Sequence, residues 1–383
     1  MSGAPPGRNA RPINQRWPDA EQTLLLQAAL GEAPIAQAAW AEWSQRIGID
    51  DQEASTQRIF PLLYRNLAAL EVNCPELERL KGVYRYHWVS NQLLRDDARN
   101  AFHALHEGKI ETLSLNGLAL AETHYLDPAT RPIVEVDVLV HPHDAQRAFA
   151  LLTELGYVPA PGFTGHRLRT GARDAMVLRN PAGRSLSLRW HSLPQSIGDE
   201  DLWAASVPLK IVATPARVPC AADQLLLSCV DASAGSSPDP IGFVADAVSV
   251  IRTSGHQLDW ARLLERADAR GCNVAVLDAL VHLQPHIDIP AAFTQELRSA
   301  AVSRTERLAH WAAARSHARV PFYFLQWDRY RRQRAAGGPG ASTSFAEYMA
   351  EFWDLDGRRQ LAKTVFSKAV RLRPRRASAL ADA

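Results

Sequence analysis

The sequence lacks the features that would place it in several large classes at once. Only four cysteines occur in 383 residues, Cys74, Cys220, Cys229 and Cys272. Their spacing matches neither a zinc-binding pattern nor a disulfide-dense secreted scaffold, which points to a reducing compartment, and we expect a cytoplasmic protein. No stretch approaches the roughly eighteen uninterrupted apolar residues that would span a bilayer. The first eighteen residues, with Pro5, Pro6, Arg8, Arg11 and Pro12, lack the apolar run of a secretion signal and read as a loose tail. Charge of one sign is also missing in excess. The 43 Lys and Arg stand against 41 Asp and Glu, a formal charge of +2, so any nucleic-acid or acidic-membrane partner would have to use a local patch. No G-x-S-x-G occurs, which removes the usual setting of a serine hydrolase nucleophile.

What is present is ordinary globular material, 46% hydrophobic and 22% charged, long enough for more than one core. From residue 19 to about 107 apolar residues recur at helical spacing, as in Ile59, Leu62, Leu63 and Leu67, and predict an all-helical region. Within it, Val83 to Trp88 mixes aromatic and basic residues. Base stacking is one reading; aromatics facing a core from an amphipathic helix, with arginine turned outward, is the reading we prefer.

Between about 108 and 217 the pattern becomes short β-rich runs separated by turns. Ile133 to Val140 is the clearest strand, bounded by Pro132 and by His141-Pro142. A helix follows from Asp144 to Leu155, stopped by Gly156. Ala175 to Arg179 and Ser185 to Trp190 form a hairpin across Asn180-Pro181-Ala182-Gly183. Residues 218–335 turn helical again after a Ser/Gly/Pro-rich loop near 233–240, and 336–383 comprise a glycine-rich break and a basic helical segment from Arg358 to Arg376. That segment reads either as a surface anchor or as a packed helix with a solvated face; we prefer the second. The fold class expected is α+β, a small mixed-sheet domain between two helical regions.

Strand alternation puts Glu135 and Asp137 on one face and Val134, Val136 and Val138 on the other. Two carboxylates side by side on a rigid strand can share magnesium, which neutralises the phosphates of a nucleotide during in-line attack. Arg131 precedes the strand and can contact phosphate or pair with one of these two acids. Alone, such a pair also describes the polar face of any half-buried strand. His141, His143 and Asp144 lack the helical spacing of zinc ligands and read as a turn. Gly162, Gly165 and Gly171, interspersed with Arg167, Arg169 and Arg173, have the composition of a phosphate-facing loop.

The run Leu113-Ser114-Leu115-Asn116-Gly117-Leu118-Ala119-Leu120, then Tyr125, then Arg131 to Val140, then Leu155-Gly156-Tyr157, resembles a family of bacterial nucleotidyltransferase-like proteins. These typically read L-K-G-x-A-L, a spacer with Tyr, R-P-M-x-D-I-D-L-L-V, and later L-x-x-x-G-Y. Phe60 to Leu67 and Val244-Ala245-Asp246-Ala247 followed by Leu258-Asp259-Trp260 extend the resemblance over about residues 20–310. It implies a nucleotidyltransferase-type domain. It also implies transfer from a nucleoside triphosphate or nucleotide sugar to an acceptor that the sequence leaves open, with magnesium on Glu135 and Asp137. Asn116 and Gly117 would approach the phosphates, and Arg131 and Arg189 would supply positive charge.

Three positions depart from the family pattern. Asn116 stands for Lys and Glu135 for the first Asp. Ser187 stands where a later strand carries an acid, with His191 displaced by two positions. Asp174, the nearest acid on the hairpin, reads as a turn or capping residue rather than a base, and His191 as structural rather than catalytic. A catalytically silent member that keeps the fold for binding is the alternative function.

Overall fold

A computed structural model describes residues 16–49, 52–161, 170–193, 198–211, 214–233, 240–315, 319–335, 344–353 and 355. The tail up to residue 15, the loop positions Gly162, Gly165, Arg167 and Arg169, most of the Ser/Gly/Pro loop, the glycine break and the basic segment from Arg358 lie outside the described residues.

The N-terminal region is helical: α1 Ala20–Leu30, α2 Ala33–Arg46, α3 Ala54–Gln57, α4 Phe60–Ala69 and α5 Leu77–Glu107. Asp19 starts α1 with a reciprocal capping box to Gln22, satisfying amides that the first turn leaves without partners. The aromatics at the start of α5 divide. Tyr84 donates to Asp127 at 2.8 Å, but Tyr86 and Trp88 are 68% and 49% exposed. This corrects the expectation that these aromatics face a core: one turn of α5 presents two rings outward because the rest of the helix already covers the sheet with Leu94, Ala98, Ala101, Phe102 and Leu105.

The sheet follows. Its strands are β1 Thr112–Leu115, β2 Glu135–Val140, β3 Val158–Pro159, β4 Ala175–Arg179, β5 Ser185–Arg189, β6 Val207–Ile211 and β7 Thr214–Val218, in the order β3-β4-β5-β2-β1-β7-β6. It is mixed: β2 runs antiparallel to β1 and parallel to β5. Helix α6, Asn116–Thr123, leaves β1; α7, Ala145–Glu154, leaves β2; α8, Glu200–Ala204, precedes β6. The β4–β5 turn has Gly183 at φ +79° and the Asn180 carboxamide oxygen accepting from the Arg184 amide, the side-chain-assisted turn that its sequence announces.

Helices α9 Ala221–Ser233, α10 Pro240–Ser254, α11 Trp260–Arg270, α12 Asn273–Leu283, α13 Ala291–Ser299, α14 Arg304–Ala313, α15 Arg319–Ala335 and α16 Phe345–Phe352 complete the described chain. Among the described residues no helix is long and apolar enough to cross a membrane.

Two cores meet at the sheet. Val136, Val138 and Val140 pack with α5 and α7, while Leu139 of β2 and Leu113 and Leu115 of β1 join the large core built from α1, α4 and α9–α12. Because Leu115 lies opposite Asp137 and Leu113 opposite Leu139, Asp137 projects from the face that meets the second core. The class is α+β, a mixed sheet flanked by helical regions on either side in sequence.

Candidate active site

The approach to β2 is fixed by a residue far away in sequence. Asn91, 1% exposed on α5, donates to the carbonyls of Pro128 and Arg131, both at 2.9 Å, and accepts from the Ile133 amide at 3.0 Å. A buried carboxamide that satisfies three backbone groups holds the segment in one conformation. Arg131 then turns toward α10. Its guanidinium forks onto Asp246 at 2.7 and 2.9 Å, and Tyr125 donates to the same carboxylate at 2.7 Å. A Cβ at Gly117 would sit 3.6 Å from this guanidinium, so Arg131 lies against the first turn of α6.

Asn116 opens α6 at φ +52°. That left-handed conformation is tolerated by asparagine better than by most side chains, and it turns the chain sharply from the end of β1 into the helix. Leu115 caps α6 with no side-chain hydrogen bond, so the cap supplies no side-chain oxygen to the helix's first amides. Asn116 also reaches Asp137.

Glu135 and Asp137 occupy alternate positions of β2, and Ser187 of β5 lies directly opposite Asp137, with Arg189 opposite Leu139. Ser187 and Arg189 therefore share the face of Asp137. Asp137 is 4% exposed; burial raises its pKa, while the positive charge of Arg189 and the polar side chains of Asn116 and Ser187 work in the other direction. Burial and the negative charge of Asp137 push Glu135 up to about 7, against a smaller pull from Arg189. The Arg189 guanidinium stands 3.6 Å from Asp137 Oδ1, an ion pair too long for a hydrogen bond. Asp137 Oδ1 is buried with no hydrogen-bond partner.

The other sequence candidates fall outside this cluster. Asp174 forms a two-pronged pair with Arg329 of α15, one arm at 2.6 Å, and its carbonyl accepts from the Trp190 and His191 amides. Burial lifts it to about 6 against the attraction of Arg329. This clamps the C-terminal helices to the sheet. Burial lowers the His191 pKa. His141 stacks on Trp203 at 4.1 Å and on His143, as a turn would allow. Asp231, on α9, was not legible as a site residue: it lies on a helix otherwise devoted to the core, yet its charge acts on both Arg189 and Asp137.

The donor set suits a hard cation. Carboxylate oxygens are the ligands magnesium prefers, and a buried carboxylate oxygen with no donor is what a cation would satisfy. Among the described residues no group of three or more His, Cys, Asp or Glu is placed to hold a metal.

β2 thus carries both carboxylates beside the sharp turn from β1 into the short helix α6. The chain matches the family described as uncharacterised nucleotidyltransferases over residues 51–287, more than half its length, and belongs to that family. The crystal structure of an antigenic nucleotidyltransferase-like protein from Paracoccidioides brasiliensis is similar at 18% identity over 52% of this chain and 96% of that one. The TM-score of this likeness is 0.31. No curated protein matches.

Proposed function

We propose that the chain transfers a nucleotidyl group, or a group activated by a nucleotide, to a hydroxyl or phosphate of a small molecule, glycan or modified peptide. The observation that carries this reading is that Glu135 and Asp137 share one face of β2, with a buried, undonated Asp137 oxygen on the strand that pairs with the end of β1 leading into α6. Magnesium held by the two carboxylates would neutralise phosphate charge on the donor. Asn116 and Gly117, at the start of α6, bring backbone amides to phosphate oxygens, where a helix N-terminus favours anions. Arg189 adds positive charge from β5. Arg131, neutralised by Asp246, lies behind Gly117 and supports that turn. With a triphosphate donor, the acceptor oxygen forms a bond to the α-phosphorus, the bond to the pyrophosphate oxygen breaks, and pyrophosphate leaves.

The alternative, a silent member that binds a nucleotide or partner without turnover, is favoured by one observation: Ser187 lies opposite Asp137, where a third carboxylate would help hold metal or take the acceptor's proton. Titration calorimetry with ATP, GTP and a nucleotide sugar, with and without magnesium, tests both. Magnesium-dependent binding lost in Asp137→Asn, together with product formation, supports transfer. Binding without product supports a silent nucleotide-binding member, and no binding by any nucleotide removes transfer and leaves the silent member as a partner-binding scaffold.

A further inference from the structure

The strand bearing Ser187 also carries an arginine aimed at the carboxylates. β5 runs parallel to β2, and Ser187 and Arg189 are two residues apart, so both stand on the face of Asp137. The Arg189 side chain is 18% exposed and that of Asp137 5%, so their 3.6 Å pair is shielded from bulk water, where charges act on each other strongly. The pair has an unusual form. Arg189 Nε and Asp137 Oδ1 are both buried with no hydrogen-bond partner, so the guanidinium neutralises the carboxylate without occupying the oxygen that a metal would use. Its Nη2 is tied to the Ser192 carbonyl at 3.1 Å, which holds the group in place independently of the acids.

The arginine has more than one carboxylate to answer. Burial works against its charge, but Asp137, Asp231, Asp174 and Glu135 more than offset this. Of these, Asp174 is already engaged by Arg329, leaving three. Asp231, on α9, is near enough for its charge to act on Arg189 and Asp137.

We infer that Arg189 is a resident cation of this acidic cluster, supplying the neutralisation that a second metal ion would otherwise give, so that the site accepts one divalent cation rather than two. The inference rests on reading Glu135 and Asp137 as metal ligands. A second dication would have to share the same two carboxylates and lie close to a fixed guanidinium charge, which repels it. Here the position opposite Asp137 is a serine hydroxyl, and the guanidinium lies beside the ligand. One ion, completed by water and donor phosphate, fits both facts.

The test is a Mn2+ titration at pH 8, read by the electron paramagnetic resonance of free Mn2+, on the full chain and on Asp137→Asn, Arg189→Met and Arg189→Lys, with circular dichroism confirming the fold. The wild type should bind one Mn2+ that Asp137→Asn loses. Arg189→Met should bind it at least tenfold tighter, because a repelling charge is gone, and Arg189→Lys should stay within a few-fold of wild type. An arginine that served only to hold β5 would, when removed, leave Mn2+ affinity unchanged or weaken it. Two Mn2+ per wild-type chain that depend on Asp137, or an Arg189→Met protein that binds no tighter, overturns the inference and leaves the metal-ligand reading intact. No Mn2+ binding by any of the four proteins overturns the metal-ligand reading and the inference with it. If Arg189→Met does not fold, the wild-type stoichiometry decides.

Discussion

Replacing Glu135 by glutamine isolates the electrostatic cost of the carboxylate pair, because the two side chains have nearly the same shape and differ in charge only when the acid ionises. Burial and Asp137 lift Glu135 from an ordinary 4.5 to about 7. The sign follows from linkage. Below pH 4.5 the group is protonated in folded and unfolded chains alike and contributes no pH dependence. Between 4.5 and 7 the unfolded chain ionises first, so the folded state holds the extra proton and stability falls as pH rises; above 7 the loss is complete. A displacement of that size corresponds to about 3 kcal/mol, at about 1.4 kcal/mol for each pH unit. Glutamine does not titrate, so Glu135→Gln should match wild type near pH 4.5 and exceed it by up to about 3 kcal/mol at pH 8, seen as several degrees in the thermal midpoint. Saturating Mg2+ at pH 8 should narrow this gap by stabilising wild type alone, since only wild type presents both carboxylates. Parallel pH profiles for the two proteins, without added metal, would refute the reasoning: the carboxylates would not then be sharing a desolvated face.

Two further outcomes test how the site is held. Asn91→Ala removes one donor group and one acceptor that together satisfy three backbone groups, leaving those groups buried and unpaired. It should cost about 3 kcal/mol by chemical denaturation, and a loss under 1 kcal/mol would mean that the approach to β2 does not depend on α5. Asp246→Ala leaves the Arg131 guanidinium and the Tyr125 hydroxyl without their acceptor and should cost about 3 kcal/mol. Tyr125→Phe, which keeps the ion pair, should cost about 1 kcal/mol; equal losses would show that the ion pair adds nothing to the hydroxyl's hydrogen bond.

The parts of the fold that were legible in the sequence are those specified by local chemistry. The strand expected over 133–140 is found at Glu135–Val140, the helix expected over 144–155 at Ala145–Glu154, and the hairpin strands at Ala175–Arg179 and Ser185–Arg189. Alternation, a glycine stop and an Asn-Pro-Ala-Gly turn each act within a few residues. β6 and β7 escaped notice because Val207–Ile211 and Thr214–Val218 contain Pro208 and Pro215, which argue against a central strand; β6 is an edge strand, where proline is tolerated. Tyr86 and Trp88 misled in the opposite direction, since helical periodicity does not say which side of a long helix the sheet will occupy.

The site shows the same division more sharply. Glu135 and Asp137 announce themselves by spacing, but what surrounds them is decided by pairings that no spacing encodes. Ser187 lies 50 residues beyond Asp137 in the chain and opposite it in the sheet; Arg189 follows by alternation; Asp231 comes from a helix most of whose residues are buried. Arg131, read as contacting phosphate or pairing with one of the two strand acids, is joined instead to Asp246, which is 115 residues away. The electrostatic character of a buried pair is set by the charges brought to it from other elements, here one guanidinium and a third carboxylate. A substitution on β5 or α9 should therefore change the behaviour of the β2 carboxylates more than a substitution of their own chain neighbours Val136 and Val138, whose side chains face the other core.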